Sequence, residues 1–386
     1  MKTLVIALFC ALIALTGGLY LGGHPDKLPD GVRETFVKED RATRAEVERA
    51  IERSYYKNIK TEDLDEKSLQ ALVRGLGDRF SHYIPPKEAK LFEQSLSGSF
   101  EGIGMTVQED PKGLEVVSVF PKSPAKKAKL VKGDVITAVD GKSIEGQSTD
   151  VATARIKGPA GTKVRITVDG GKGRQRDLTV ERAKIDVPVV RGRIEEAGGK
   201  KIGVVQLASF SEGVHGLVRK EIDELFDKGA QGIVLDLRGN GGGLLQEGRL
   251  VASIFIEDGL IVSTKGRKRS ERKFDAVGDA IDEDVPVVVL VDRGTASASE
   301  IVTGALRDTG RARVVGEKTF GKGVFQEVEE LPNGAVLDLT VGSYYLPKGD
   351  NISNKGIAPQ VKARDRARTR PDEALPTALQ EVVKQL

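Results

Sequence analysis

Val285-Pro286-Val287-Val288-Val289-Leu290-Val291-Asp292-Arg293-Gly294-Thr295-Ala296-Ser297-Ala298-Ser299-Glu300-Ile301 reads as an apolar run, a bend of small residues and the start of a helix. Such an unbroken valine and leucine run fits a strand covered on both faces, as in a parallel sheet flanked by helices. A tight bend between that strand and a helix lifts a hydroxyl and aims the first helical amides at a reacting carbon. Ser297 occupies the bend. Ala296 and Ala298 leave room for a substrate to approach, and Glu300 suits the helix dipole. Ser299 competes as nucleophile but, two positions on, faces another direction.

The same texture extends upstream. Ile202 to Leu207 reads as a strand, and Ser211 is placed to cap a helix from about Val214 to Asp227 with Leu217, Ile222 and Leu225 on its apolar face. Gly232 to Leu237 is another apolar strand, running into Arg238-Gly239-Asn240-Gly241-Gly242-Gly243, and a helix follows from about Leu245 to Ile254. Attack on an amide creates an oxyanion that needs two preorganised donors, and glycine lets amides point into a cavity unobstructed. The amides of Gly242 or Gly243 and of Ala298 are the candidates. The loop lacks the Gly-x4-Gly-Lys-Ser/Thr pattern of a phosphate cradle.

A serine hydroxyl needs a partner to take its proton, and histidine is the usual one. Only His24, His82 and His215 exist in the chain, none in a strand-turn setting. Lys322, in Gly321-Lys322-Gly323, stands 25 positions after Ser297. An amine serves as the base where burial lowers its pKa enough to leave it neutral.

From Phe100 the texture changes to short strands. Gly102-Ile103-Gly104-Met105-Thr106-Val107 and Leu114 to Phe120 precede Ser123-Pro124-Ala125, which opens a helix; then come Gly133-Asp134-Val135-Ile136, an Asp140-Gly141 hairpin turn and the alternating strand Val164 to Val168. Four elements in this order resemble a PDZ domain over about Ser95 to Arg182. Gly102 and Gly104 would let amides converge on a carboxylate, the next strand offers an edge to an incoming peptide, and Ile103 and Met105 would line a pocket for its last side chain.

Composition bounds the rest. At 386 residues the chain exceeds one ordinary core. Its 60 Lys+Arg against 57 Asp+Glu are interspersed, which argues against nucleic acid, and the run Lys265-Gly266-Arg267-Lys268-Arg269 reads as a solvated loop. One cysteine, Cys10, excludes a disulfide framework and a Cys-rich zinc site, and no metal, glycan or nucleotide cofactor has a visible site. Leu4 to Leu21 is an apolar stretch behind Lys2, read as an export signal retained as a membrane anchor, with the bulk of the chain outside. Asp40 to Leu72 reads as two short charged helices, ended by Asp78 to Pro86. His82 reads as a packed or surface residue.

Export segment, PDZ-like module, Asp236-Leu237-Arg238-x-Asn240-x-Gly242-Gly243, Ser297-Ala298-Ser299-Glu300 and Gly321-Lys322-Gly323 followed by Gln326 together resemble the carboxyl-terminal processing (tail-specific) proteases, over roughly residues 40 to 362. The resemblance implies a mixed α/β core of the crotonase and Clp-protease type with an inserted PDZ domain and an N-terminal helical segment. The corresponding division is 1–22 signal or anchor, 23–94 helical segment, 95–182 PDZ domain, 183–365 protease core and 366–386 C-terminal tail. It implies Ser297 as nucleophile, Lys322 as general base, Gln326 as the residue orienting the lysine, and a PDZ domain that gates the site. The partners it implies are exported proteins with apolar C-termini in the periplasm or on the extracytoplasmic face, and it leaves room for an adaptor protein and a homo-oligomer. Two departures stand out: Thr295 replaces the family's first serine, and Gln360 stands where aspartate is common. Two rival readings fare worse. A trypsin-like PDZ protease needs serine where Gly241 stands, and a silent PDZ adaptor on a protease scaffold predicts a missing nucleophile or base.

Overall fold

The computed structural model describes residues 39–365 and 372–386, apart from positions 58, 60, 148 and 171–174, together with Ala14, Gly17 and Gly18. The expectations of export and anchoring for residues 1–22, and Cys10 with them, fall almost wholly outside this set. No helix among the described residues is long and apolar enough to cross a membrane. The chain divides into two units, Met1–Pro85 and Pro86–Leu386. The first holds α1 (Glu39–Ser54), α2 (Thr61–Arg74) and the short β1 (His82–Ile84).

The second unit opens with α3 (Pro86–Ser97), a helix that the sequence reading missed because Pro85 precedes it and Pro86 is its first residue. At the first helical position proline lacks only an amide that would have no partner, so Pro86 starts this helix rather than breaking it. Next, β2 (Ser99–Gly102) pairs antiparallel with β9 (Ala183–Asp186), so the chain enters and leaves the intervening body side by side. That body is a sheet of β3 (Met105–Asp110), β4 (Gly113–Val119), β5 (Val135–Val139), β7 (Lys163–Asp169) and β8 (Gln175–Glu181) in this order, with β6 (Lys142–Ser143) on β5. It carries α4 (Pro124–Lys127), capped by the Ser123 hydroxyl, and α5 (Thr149–Ile156). Asp140 and Gly141 take φ of 49° and 76°, the positive values a two-residue hairpin turn requires. Leu114, Val116, Ile136, Val164 and Ile166 are fully buried in its core.

The larger body is built on a six-stranded sheet. β10 (Val190–Ala197) runs antiparallel to β11 (Lys200–Leu207), and β12 (Ile233–Asp236), β15 (Val287–Val291), β16 (Arg313–Gly316) and β19 (Val361–Lys362) continue parallel to β11. β12 and β15 are buried at every position, which is why they read as unbroken apolar runs. α6 (Val214–Asp227), α7 (Leu245–Ser253) and α8 (Ala298–Asp308) share one core cluster with the sheet. A separate cluster lies under α9 (Leu375–Val383), whose Leu375, Ala378, Leu379 and Val382 pack on Val204, Val234, Val288 and Val315. The segment read as a C-terminal tail therefore supplies a structural layer. At roughly 1.5–3 kcal/mol for a large apolar side chain, that cover is a substantial part of the domain's stability.

A smaller sheet joins β13 (Leu260–Gly266), β14 (Arg269–Asp275), β17 (Val324–Glu330) and β18 (Val336–Tyr345): β18 lies between β13 and β17, and β14 pairs with β13. The basic run forms the exposed turn between β13 and β14, where Arg269 grips Glu327 at 3.0 and 2.5 Å. Two expectations for α6 are corrected. Its N-cap is Gly213, at φ 75°, and not Ser211, because the buried Glu247 carboxylate takes the amides of Gly213 (2.8 Å) and His215 (3.1 Å). Its inner face is Val214, Val218, Ile222 and Leu225, whereas Leu217 is 51% exposed.

Candidate active site

Ser297 connects the β15 side of the sheet to α8 with φ 56° and ψ −118°. A residue with a side chain pays about 1–3 kcal/mol to sit there, so the surroundings must impose it. They do so from several directions. The Ser297 amide donates to Glu300 Oε2 (3.0 Å), and the Ala296 amide to the Asn240 carbonyl (3.0 Å). Thr295 keeps the hydroxyl of the serine it replaces: it donates to the Leu237 carbonyl (2.9 Å) and accepts from the Asp292 amide (2.9 Å). Ser299, fully buried, donates to the Asn240 carbonyl at 2.9 Å. Its hydroxyl is thus committed to the backbone, whereas Ser297 lines a cavity.

The facing wall is the glycine loop after β12. Asn240, fully buried, ties it down: Nδ2 donates to the Leu207 carbonyl (2.9 Å) and Oδ1 accepts the Gly242 amide (2.9 Å). The Gly242 amide is therefore occupied, and the candidate oxyanion donors reduce to Gly243 and Ala298. Gly243 pairs with Phe210 through its neighbours, since Phe210 donates to the Gly242 carbonyl (2.9 Å) and Leu244 donates to the Phe210 carbonyl (2.8 Å). Its own amide takes no part in that bridge. Ala298 is the first residue of α8, where the amide has no intrahelical acceptor. Gly242 matters for space: at φ 103°, a Cβ there would stand 2.8 Å from the Ser297 Cβ and 3.0 Å from the Ala298 nitrogen.

Lys322 reaches the same cavity from the strand-to-strand turn before β17. One side chain connects it to the serine. The buried carboxylate of Glu300 accepts the Thr319 hydroxyl (2.5 Å) and Gly321 amide (2.8 Å) on Oε1, and the Lys322 amide (2.9 Å) and Ser297 amide (3.0 Å) on Oε2. Burial pushes its pKa above the ordinary carboxylate value, and the four donors pull it back. Tyr344 adds a second link, donating its hydroxyl to the Lys322 carbonyl and lying 3.4 Å from the Ser297 carbonyl. Burial and the nearby Glu300 charge hold this phenol well above its usual pKa, so it stays a donor.

The cavity, of about 280 Å³, is lined by Ser297, Ala298, Gly243, Lys322, Gln326 and Tyr344, with apolar walls from Leu245, Ile301, Val324 and, on α3, Phe92 and Leu96. Gln326 on β17 donates its amide nitrogen to the Thr340 hydroxyl across the hairpin at 3.0 Å, which turns its carbonyl oxygen the other way. His215 lies apart, its ring bound to Glu247 at 2.8 Å, and His82 is exposed. Gln360, the other departure, exchanges bonds with Val314 through its side chain (2.7 Å) and backbone (2.9 Å), a local link between β16 and the approach to β19.

A second cavity, of about 530 Å³, lies between β3 and α5. Gly102, Ile103, Gly104 and Met105 all line it, with Val107, Ile156 and Lys157 beyond. Among the described residues β3 pairs only with β4, which leaves its other edge open. Gly104 takes φ 82°, and a Cβ there would lie 2.4 Å from Ser123, so the loop requires glycine at that point. Leu91 of α3 borders this groove, while Phe92 and Leu96 border the catalytic cavity.

Sequence reasoning credited Glu300 only with favouring the helix dipole; its place three residues into the helix, after a capping serine, was the signal for a larger role. The roles of Asn240 and Tyr344 carried no local signal.

The profile of peptidase family S41 matches residues 201–363, and that of the PDZ domain residues 115–169. The chain is 34% identical over 366 residues to a probable CtpA-like serine protease of Staphylococcus saprophyticus, covering 94% of this chain and 72% of that protein. It is 34% identical over 364 residues to the carboxy-terminal processing protease CtpA of Bacillus subtilis, covering 94% and 77%. The solved photosystem II D1 C-terminal processing protease superimposes with a TM-score of 0.51 at 29% identity, over 90% of this chain and 97% of that one. With a nucleophile bend, a glycine loop and a lysine gathered around one cavity beside a PDZ fold, the chain belongs to peptidase family S41 and is a serine peptidase carrying a PDZ domain.

Proposed function

We propose that the protein is an endopeptidase that captures the C-terminal tail of exported proteins and cuts them with Ser297 and Lys322. The observation that carries the catalytic assignment is the single cavity lined by Ser297, Lys322 and Gln326, with the amides of Gly243 and Ala298 beside it. Neutral Lys322 takes the Ser297 proton as the hydroxyl attacks the scissile carbonyl, and the two amides receive the developing oxyanion. The lysine, now an ammonium held by the Gln326 carbonyl oxygen, returns the proton to the leaving amine. Water, deprotonated by the same amine, then releases the acyl group from Ser297 and regenerates the hydroxyl.

Tail capture is supported by the free edge of β3 and the Gly102 to Met105 loop. An incoming peptide extends the sheet, its carboxylate meets the loop amides, and its last side chain enters the apolar groove. The relatives' names support C-terminal substrates, and the apolar stretch Leu4 to Leu21 supports an exported, anchored enzyme at the cell envelope. Purified protein incubated with a substrate bearing an apolar C-terminus should generate new termini, detected by mass spectrometry. Ser297→Ala and Lys322→Ala should yield none, and equal cleavage by either variant would dismiss the dyad.

A further inference from the structure

We infer that Asp372, on the segment leading into α9, is a positioning residue for catalysis, holding the oxyanion loop in register through Arg238. The inference rests on the reading of the Gly243 and Ala298 amides as the oxyanion donors. Arg238 is the second residue after β12 and the last side chain before the turn into Asn240 and the glycines. Its guanidinium, 16% exposed, is held between two carboxylates. On one side, Nε and Nη2 reach Asp236 at 2.9 and 2.7 Å; on the other, Nη1 and Nη2 reach Asp372 at 3.1 and 2.8 Å. Asp365 stands further off, at 3.6 Å.

Asp236, at the end of a buried strand, grips one edge of the guanidinium and so ties it to β12. Asp372 supplies the second fixed point. Its Oδ1 also accepts the amides of Ala374 (3.0 Å) and Leu375 (2.9 Å) at the start of α9, and α9 is seated on the sheet by its apolar face. A layer on the face of the sheet away from α8 is thereby connected to the loop that faces Ser297. The Arg238 backbone carries the effect onward. Gly239 donates to Asp292 Oδ1 (2.9 Å) and Asn240 to the Leu237 carbonyl (3.2 Å), and Asn240 then sets Gly242. A planar fork gripped on both edges ties β12 and the start of α9 into one rigid unit, and loss of the Asp372 charge breaks that tie on the α9 side.

The test is Asp372→Asn in the full chain. Asparagine keeps an oxygen for the Ala374 and Leu375 amides, so helix capping survives while the charge facing Arg238 is lost. The expected result is a fall in kcat of up to about 100-fold, the scale of a misplacement of about 1 Å and less than the loss of a whole oxyanion donor. KM, the affinity of an uncleavable tail peptide and the fraction of sites titrated by a serine-directed phosphonate should stay at wild-type levels. Affinity for a peptide boronate, which forms a tetrahedral adduct on the serine, should fall in step with kcat. Asp372→Glu, which keeps the charge, should recover most of the loss. Wild-type kcat in Asp372→Asn would overturn the inference, as would kcat, tail affinity and titratable sites falling together, the mark of a structural defect. If wild type and Ser297→Ala cleave equally, the catalytic assignment fails first and takes the inference with it.

Discussion

Replacing Glu300 by glutamine isolates the link between Ser297 and Lys322, the proposed nucleophile and base, because the shape stays and only the charge and one acceptor oxygen go. Each carboxylate oxygen receives two donors, one pair from Thr319 and Gly321 and one from Lys322 and Ser297. An amide has a single oxygen, so its NH2 group must face two of those donors whichever way it turns. Two charge-assisted bonds, at about 1.5–3 kcal/mol each, are lost. Relief of a buried ion's desolvation offsets this, a penalty of several kcal/mol in its own right. With the folded pKa raised, the neutral form suits the fold at least as well as the ion, so the two effects nearly cancel and Tm should stay close to wild type. The catalytic loss is larger. One orientation of the amide releases the Ser297 and Lys322 amides together and the other releases Thr319 and Gly321 beside the lysine, and a misplacement of about 1 Å costs on the order of 100-fold. Thermal unfolding and kcat on a quenched peptide, both measured where the variant is fully folded, separate the two effects. A lowered Tm with kcat within twofold of wild type would reduce Glu300 to a stabilising residue, and no change in either would refute the link.

Ser299→Ala should keep most of the activity that Ser297→Ala loses, at a stability cost of about 0.5–1.5 kcal/mol for one lost hydrogen bond, since the Asn240 carbonyl keeps the Ala296 amide, read by Tm and peptide turnover side by side. Gly242→Ala should lower kcat by about 100-fold or more with a folded protein, because its methyl would stand against Ser297 and the Ala298 amide, as in the loss of an oxyanion donor; wild-type kcat would show that the wall is further from the reaction than drawn. Burial raises the folded pKa of Glu300 above its unfolded value, so this group favours folding most at low pH and that contribution is lost as pH rises through the folded pKa. Activity runs the other way. Protonating Glu300 removes an acceptor, so the acid limb of kcat should fall above the usual carboxylate range, and Glu300→Gln should lack that limb. Truncation before Leu375 uncovers Val204, Val234, Val288 and Val315, and at about 1.5–3 kcal/mol per large side chain the loss rivals the total stability of a domain; circular dichroism should show no cooperative unfolding.

Much of this was legible because local chemistry and tertiary role agree. β12 and β15 are buried on both faces and so carry no polar alternation; Asp140 and Gly141 are the residues a positive-φ turn needs; Ser123 and Pro124 are of the types favoured at an N-cap and a first helical position. The misreadings came where a long-range partner overrode a local preference. Ser211 is a good N-cap by type, but Glu247, 36 residues on, takes the amides instead. Gly242 looks like an oxyanion donor until Asn240 folds back onto its amide. α9 is short and amphipathic and follows a run of basic residues, so nothing nearby in sequence announces that a sheet face lies open for it.

The separation of Ser297 from Lys322 has a structural reason that the spacing alone could not reveal. The 25 positions hold α8, β16 and one returning turn, which is the length of chain needed to leave the sheet at the end of β15, cross on α8, add the neighbouring parallel strand and come back to the same end. Serine and lysine therefore meet at the carboxyl ends of adjacent parallel strands, where open α/β sheets place their sites. That topology brings them near but does not fix them, since each sits in a turn. The carboxylate on the first turn of α8 does so, by accepting amides from both turns at once. Two turns held by one buried acid move together or not at all, and in the proposed mechanism the lysine gains its alignment from this anchored backbone as well as from Gln326.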